Sequence, residues 1–485
     1  MGLDSALAIA SGGLANVAAQ LALVSHDVAN ASTADFVPET LPQWSLSAGG
    51  VGMGVFTGEA QRTINLALQA ETFSQNGVVS GLQTRSNALQ QIDAVLGSPG
   101  QNNDLQSLLT NLQNQFTALA ADPASATAQA QVVASAQTLA HGINALANAY
   151  NTGRQNAEND LVTAIGQLNA SLAAIGSFNQ QIVAAKAQGL STADLENQRD
   201  QAMQTVSQLI GAKFIPQANG AVLVATQSGL VLPTDGSASL STTPATIGPA
   251  SAPGSGIPPI LLGGIDVTQQ LTGGEIGADI TLRDSTLPTY QAELDEFAQN
   301  LAGRFNAAGL PLFTDASGNV PAGGGSPVQA GYVGFAQEIT VNPAVVANPA
   351  AVRDGIPSQN TTGQAGFSTL INTILANTFG AGTPPATNVS GLGPLGTLSA
   401  PFAQPATLGE FATDIVSSQS ADAAAAQNAL TTEQAVQTHL QSNLPSVNID
   451  SEMARLVELQ NAYAANARII AATQQMWNTL QNAVP

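Results

Sequence analysis

The residues of this chain that could do chemistry are few and scattered. His26, His141 and His439 are its three histidines, each set in a helical pattern far from the others, so a shared metal or general base would need all three to converge through tertiary folding. Asp194, Glu196 and Asp200 stand close enough to suggest a cation site. Arg199 lies among them, however, and the spacing lacks both the glycine and the ordered ligands of a calcium loop. Carboxylates gathered in this way suit a helix start, where they meet the positive end of the helix dipole and pair along the helix. Gly49-Gly50-Val51-Gly52-Met53-Gly54 shares only its glycine content with a phosphate loop: no Lys-Ser/Thr follows, and the dinucleotide spacing is missing. A nucleophile elbow with a histidine partner is also absent. The chain has no cysteine, which excludes disulfides, thiolate nucleophiles and cysteine-ligated zinc or iron–sulfur centres. These residues predict a protein that is not an enzyme and holds no cofactor and no metal.

The strongest pattern lies in the helices at the two ends. Leu3, Leu7, Ala10, Leu14, Val17, Leu21, Val24 and Val28 alternate spacings of four and three, and Leu456, Leu459, Tyr463, Ile470, Trp477, Leu480 and Val484 follow the same rhythm, with Asn466 and Thr473 as polar interruptions. About two apolar residues per seven make the narrow seam of a coiled coil, in which a polar position can set the register. An apolar stripe usually packs inside its own domain, but chain ends are disordered unless something ties them down. Each end therefore needs a helical partner, and the simplest partner for one end is the other.

Composition points the same way. A chain of 485 residues exceeds one ordinary core, so two or three domains are expected. Aromatic residues make up 4% and charged residues 9%, which favours thin layers and helix seams of Ala and Leu, hence an elongated rod. Eleven Lys and Arg against 32 Asp and Glu leave a net charge of −21, opposing nucleic acid and anionic membranes. The first ten residues carry Asp4 and no base, unlike a secretory signal. No apolar run approaches the ~20 residues of a membrane span. The chain is then cytosolic, or leaves the cell by a route that does not cut its N-terminus.

Along the chain, Asn30 to Pro38 ends the first helix with turn formers, and the glycines of 49–58 alternate with Val51, Met53, Val55 and Phe56 as an extended ribbon. From about Thr63 to Gly211 the pattern is helical, with stops at Gly97-Ser98-Pro99-Gly100, before Pro123 and near Gly189. Val- and Leu-rich residues around Ser228-Gly229 predict a β-hairpin, and Asp235 to Pro259 reads as an aperiodic loop. Helix returns over about Leu282 to Ala308 and Phe367 to Phe379. Gly323-Gly324-Gly325 and Ala381 to Ala400 read as loops, and a final helical region from Leu408 breaks once, at Pro445.

Several of these segments resemble one family, the flagellar hook-associated protein 1 family of hook–filament junction proteins. Ser5 to Ala10 through His26-Asp27-Val28-Ala29-Asn30 is similar to the N-terminal helix common to flagellar axial proteins. Asp194-Leu195-Glu196-Asn197-Gln198-Arg199-Asp200 resembles the family's "DLLDQRD" helix. Gly273-Gly274-Glu275-Ile276-Gly277, Leu282-Arg283-Asp284, Leu294-Asp295-Glu296-Phe297 and Phe305-Asn306 resemble "GGELGG…LRD…LDE…FN", the most selective block. Val447-Asn448-Ile449-Asp450-Ser451-Glu452, Gln460-Asn461-Ala462-Tyr463 and Met476-Trp477-Asn478-Thr479-Leu480 resemble the terminal "VNLDEE…QQAY…MFDTL". The family's "NTPGY" is replaced by Ser32-Thr33-Ala34-Asp35-Phe36, and the stretch from Phe313 to Leu408 is short beside members that carry large outer domains.

The resemblance implies a mainly α fold with minor β. Residues 1–60 and 445–485 would form a D0-like stem with a hinge. Residues 61–310 and 408–444 would form a D1-like long-helix bundle with a β-hairpin at 213–232, and 311–407 a reduced variable region. It implies a structural axial subunit that joins hook to filament and is exported by the flagellar type III system to an extracellular place in the flagellum. Its partners would be other copies of itself in a ring or helical layer, the hook protein, the second junction protein (hook-associated protein 3) and an export chaperone at the C-terminal helix, with no nucleic acid and no membrane. The assembly interface would be Leu3, Leu7, Leu14, Val17, Leu21, Val24, Val28, Leu456, Leu459, Tyr463, Ile470, Trp477, Leu480 and Val484. Flagellin, hook-associated protein 3 and a cytosolic coiled-coil scaffold are the alternatives.

Overall fold

The computed structural model describes residues 2–33, 36–48, 51–97, 103–380 and 387–483. Helices dominate: α1 Leu3–Asn30, α2 Leu66–Leu96, α3 Leu105–Ala121, α4 Ala126–Ala187, α5 Ala193–Ile210, α6 Gly274–Thr281 and α7 Leu287–Ala307. They are followed by the short α8 Phe335–Glu338, α9 Pro343–Ala347, α10 Ala351–Asp354 and α11 Thr369–Thr373, then α12 Leu408–Ser442 and α13 Ile449–Ala483. Local chemistry sets the ends. Asn65, Asp104 and Asn448 accept hydrogen bonds from the first-turn amides of α2, α3 and α13 at 2.9 to 3.2 Å, meeting donors that a helix start leaves unpaired. At α12 the Thr407 hydroxyl accepts from the Glu410 amide at 3.0 Å, while the Glu410 carboxylate reaches back to accept from the Ala406 amide just before the helix. At the end of α5, Gly211 adopts φ 60°, and its amide donates to Ser207 O at 2.7 Å. That left-handed position suits glycine.

Residue contacts divide the chain into two compact units, Met1–Gly77 with Leu168–Ser239 and Ala435–Pro485, and Val78–Gln167 with Leu240–Gln434. Three of the four divisions fall inside α2, α4 and α12.

In the first unit the expected ribbon forms as β2 (Gln43–Ala48) against β3 (Val51–Thr57), flanked by the pair β1 (Glu39–Thr40) and β4 (Gln61–Arg62). Residues 49 and 50 lie outside the described residues. The hairpin at 213–232 is a three-stranded meander, β5 (Lys213–Pro216), β6 (Val222–Ala225) and β7 (Val231–Leu232). Asn179 of α4 bonds both backbone groups of Val222, at 2.9 and 3.0 Å. Gly77 of α2 faces the end of α5, where a Cβ would lie 2.4 Å from Gly211 Cα, so only glycine fits.

The second unit is built on one apolar core. Leu112 and Phe116 of α3, Leu139, Ile143 and Tyr150 of α4, Leu294, Phe297 and Phe305 of α7, and Phe411 and Ile415 of α12 are all buried there. Phe305 packs edge-on against Phe313 and Phe379, with ring centres 5.4 and 5.8 Å apart. The stretch 311–407, expected as a loop-rich region, supplies Phe335, Val345, Val352, Ile371 and Ile374 to this same core.

Other departures from the sequence reading have local causes. Residues 235–259 contain Leu240–Ser241, paired with Leu261–Leu262, and Ala252–Pro253, paired with Gly256–Ile257. Strands of two residues leave no periodicity to read. The helix expected from Leu282 begins at Gly274 and passes through a π-helical turn, Leu282–Thr286, into α7. Gly274 takes φ 65° at the helix start, and its carbonyl faces Gly81, where a Cβ would lie 2.8 Å away. Residues 381–386 of the expected loop 381–400 lie outside the described residues. Finally, α1 and α4 are long and apolar enough on average to cross a membrane by composition, although neither holds an unbroken apolar run of that length. The many alanines of both helices raise that average.

Candidate assembly surface

α1 and α13 pack against each other as an antiparallel pair: Val24 shares a cluster with Leu459, while Gly13, further back along α1, faces Asn466, further along α13. Val17, Val24 and Leu459 are its buried core, and Leu21, Val28, Leu456 and Ala462 are half-buried around it. Narrow seams explain why that core is thin, since two helices alone cover little more than one stripe of each other.

Of the expected interface residues, the structure thus brings together Val17, Leu21, Val24, Val28, Leu456 and Leu459. Leu3, Leu14 and Ile470 are half-buried, whereas Leu7, Tyr463, Trp477 and Leu480 are exposed at 37%, 42%, 40% and 53%. Val484 lies outside the described residues. The two polar interruptions behave differently: Asn466 packs over Gly13, while buried Thr473 donates its hydroxyl to Ile469 O of its own turn at 2.8 Å.

Beside the seam, α13 carries a second set of apolar residues that the heptad pattern did not single out. Met453 and Val457 flank it on one side and Ile469 and Met476 on the other, and Ile449 continues the seam seven residues before Leu456, all at least 46% exposed. Ile449, Met453 and Val457 recur every four residues, which was the available signal.

The inner end of α1 is fastened by polar contacts. Asp27 is buried and accepts from the Glu39 amide at 3.3 and 3.4 Å. Burial and the nearby Glu452 charge push its carboxyl above the usual range despite that bond. Burial, with Asp27 and Asp194 nearby, does the same to Glu39. His26 meets Phe36 edge-on at 5.6 Å and lies 3.8 Å from Asp194, and Asn197 donates to Val37 O at 3.2 Å. The trio read as a cation-site candidate is engaged otherwise. Arg62 pairs with Glu196 and Asp200, Gln69 also donates to Asp200, and Gln198 donates to Asp194. Arg199 donates to Asn179 Oδ1 and Gly220 O. His141 and His439 are exposed on α4 and α12. Among the described residues no group of histidines and carboxylates is arranged to hold a metal.

The block from Gly273 to Asn306 does its work inside the second unit, where each signature side chain secures a separate segment. Arg283, 1% exposed, donates to Glu158 at 2.6 Å and to Asp284 at 2.7 and 2.9 Å, and Arg154 donates to the carbonyls of Arg283, Gly248 and Ser251. Asp295 accepts from the Gly334 and Ala336 amides at 2.7 and 2.9 Å, and Glu296 from the Tyr332 hydroxyl at 2.5 Å and the Asn388 amide at 2.7 Å. Buried polar groups must be satisfied in this way, so the motif is a set of loop anchors around the core.

Comparison with known proteins follows this division. A family model for the helical domain of flagellar hook-associated protein FlgK matches residues 89–312, and a model for the C-terminal region of the flagellar basal body rod FlgEFG proteins matches residues 442–483. Flagellar hook-associated protein 1 of Salmonella typhimurium is 25% identical over 328 residues, 65% of this chain and 58% of that protein. The chain is thus similar to the flagellar hook-associated protein 1 family. The Escherichia coli protein of that name is 26% identical over 333 residues, covering 65% of this chain and 59% of its own length. The Bacillus subtilis protein is 24% identical over 225 residues, covering 44% of each chain. The chain therefore spans less than two thirds of the length of these hook-associated protein 1 relatives. A solved structure, the flagellar hook junction protein FlgK from Burkholderia pseudomallei, aligns with 53% of this chain and 46% of its own at 27% identity and a TM-score of 0.42.

Proposed function

We propose that this chain is a structural, non-catalytic subunit that joins hook to filament in the bacterial flagellum, and that residues 1–60 and 445–485 serve as its assembly stem. Similarity to that family supports the setting. The observation that carries the mechanism is the paired α1 and α13, with three buried apolar residues at its centre and an exposed apolar flank on either side of the seam. A helix pair with so little core is held weakly in the free subunit and has apolar surface left for neighbours, so further ordering is deferred until a growing tip supplies them. The neighbours would be other copies of this chain in a ring or helical layer, the hook protein on one side and hook-associated protein 3 on the other, with an export chaperone covering α13 beforehand. Passage through the flagellar type III channel without a cleaved signal peptide, to an extracellular position, belongs to the same proposal.

Leu14→Asp combined with Leu21→Asp tests it. The variant should stay soluble and be exported, yet fail to join hook to filament, leaving cells without attached filaments. Normal motility would defeat the proposal. Detection of the chain in sheared flagella separates it from a cytosolic scaffold.

A further inference from the structure

The second unit carries a surface that the terminal pair does not use. A groove of about 880 Å³ lies between α2 and α4 and meets α6 where α4 reaches Asp160. Small side chains (Ala88, Ala145, Ala149) and amides (Asn87, Asn148, Asn156) line it. Small residues let a second helix axis come close, and exposed amides offer both donors and acceptors to its polar side chains.

At the α6 end three carboxylates descend from the surface. Asp160 is exposed and Glu275 half-buried. Asp279 is 1% exposed, and its Oδ2 has no hydrogen-bond partner among the described residues. Burial first, then the charges of Asp160 and Glu275, push the Asp279 carboxyl up to about 8. Arg283 opposes this shift, but its guanidinium is already engaged by Glu158 and Asp284. A buried acid with a vacant acceptor below two further acids is costly as it stands and is relieved by an incoming cation that carries N–H donors. A metal ion does not fit, because these carboxylates do not form a metal-holding group.

We propose that this groove docks an α-helix of a basic partner protein, with one lysine or arginine of that helix seated between Asp160 and Glu275 and hydrogen-bonded to Asp279. The net charge of −21 steers a basic partner inward, and the carboxylates of Asp160, Glu275 and Asp279 at this end of the groove select a cationic side chain from it.

The probe is a fluorescein-labelled, alanine-rich helical peptide of about 20 residues with one central arginine, titrated into the full soluble chain beside the same peptide with norleucine at that position. The arginine peptide should bind about tenfold more tightly than the norleucine peptide and weaken as salt rises. Asp279→Asn should abolish that preference. Asp160→Asn, an exposed change that leaves folding intact, should reduce it about threefold, and so decides the matter even if Asp279→Asn unfolds. Equal binding of the two peptides, no binding, or a preference unchanged in Asp160→Asn would each overturn the proposal. So would dimerisation of the free chain that Asp160→Asn abolishes.

Discussion

Val24→Ala is the sharpest single perturbation of the terminal helix pair. Val24 is 1% exposed and sits in the small cluster with Val17 and Leu459. Removing its two methyl groups forfeits about 0.8 kcal/mol for each buried carbon, and the void left between two helices adds to that, for a cost of about 2 kcal/mol. At about 1.4 kcal/mol per tenfold change, amides of α1 and α13 that exchange by opening of the pair should lose roughly 30-fold protection. Hydrogen exchange read by mass spectrometry on the soluble subunit measures this directly, with peptides around Leu112, Leu139 and Phe297 in the core of the second unit as an internal reference. Those reference peptides should keep their wild-type rates. Unchanged protection of α1 and α13 would refute the claim that the seam holds them. An equal loss at Leu112, Leu139 and Phe297 would refute the claim that the pair opens by itself.

Three further outcomes follow from buried groups. Burial holds Glu293 up to about 8 and Asp295 up to about 7, so the folded chain keeps protons that the unfolded chain releases near the ordinary carboxylate range. Their stabilising contribution is full below about pH 4 and is lost as pH rises toward 8; in urea unfolding, Glu293→Gln should gain midpoint relative to wild type at pH 8 but not at pH 4. Glu158→Gln leaves the buried Arg283 guanidinium with Asp284 alone and should cost about 3 kcal/mol in the same assay, whereas a loss below about 0.5 kcal/mol would show the pair to be dispensable. Gly77→Ala forces a methyl group to within 2.4 Å of Gly211 Cα and should lower stability by about 1 to 3 kcal/mol, read as a lower melting temperature, with an unchanged melt as the contrary result.

Features encoded by neighbouring residues were legible in the sequence. The seam through Val17, Val24 and Leu459, the stops at Gly97, Pro123 and Gly189, and the break at Pro445 all depend on local spacing or backbone chemistry, and the structure places helices accordingly. Features that depend on distant partners were not legible. Leu7, Tyr463 and Trp477 share the rhythm of Val24 but remain exposed, because periodicity tells which side of a helix is apolar and not how much of it one partner covers. Nothing near Asp27 in sequence tells that the Glu39 amide, twelve positions away, donates to it. The acidic end of the groove joins Asp160 to Glu275 and Asp279, which no window of sequence contains. Resemblance to a known family reached further than periodicity at Arg283, Asp295 and Glu296. There the selective residues are loop anchors, whose partners are fixed by the whole fold.

A cryo-EM map of the hook–filament junction, from cells that carry this chain, tests the central claim most directly. The account predicts that the chain fits as a layer between hook and filament, with α1 and α13 paired and Met453, Val457, Ile469 and Met476 covered by neighbouring subunits. A junction layer that does not contain this chain, or one that leaves those four side chains facing solvent, would contradict it.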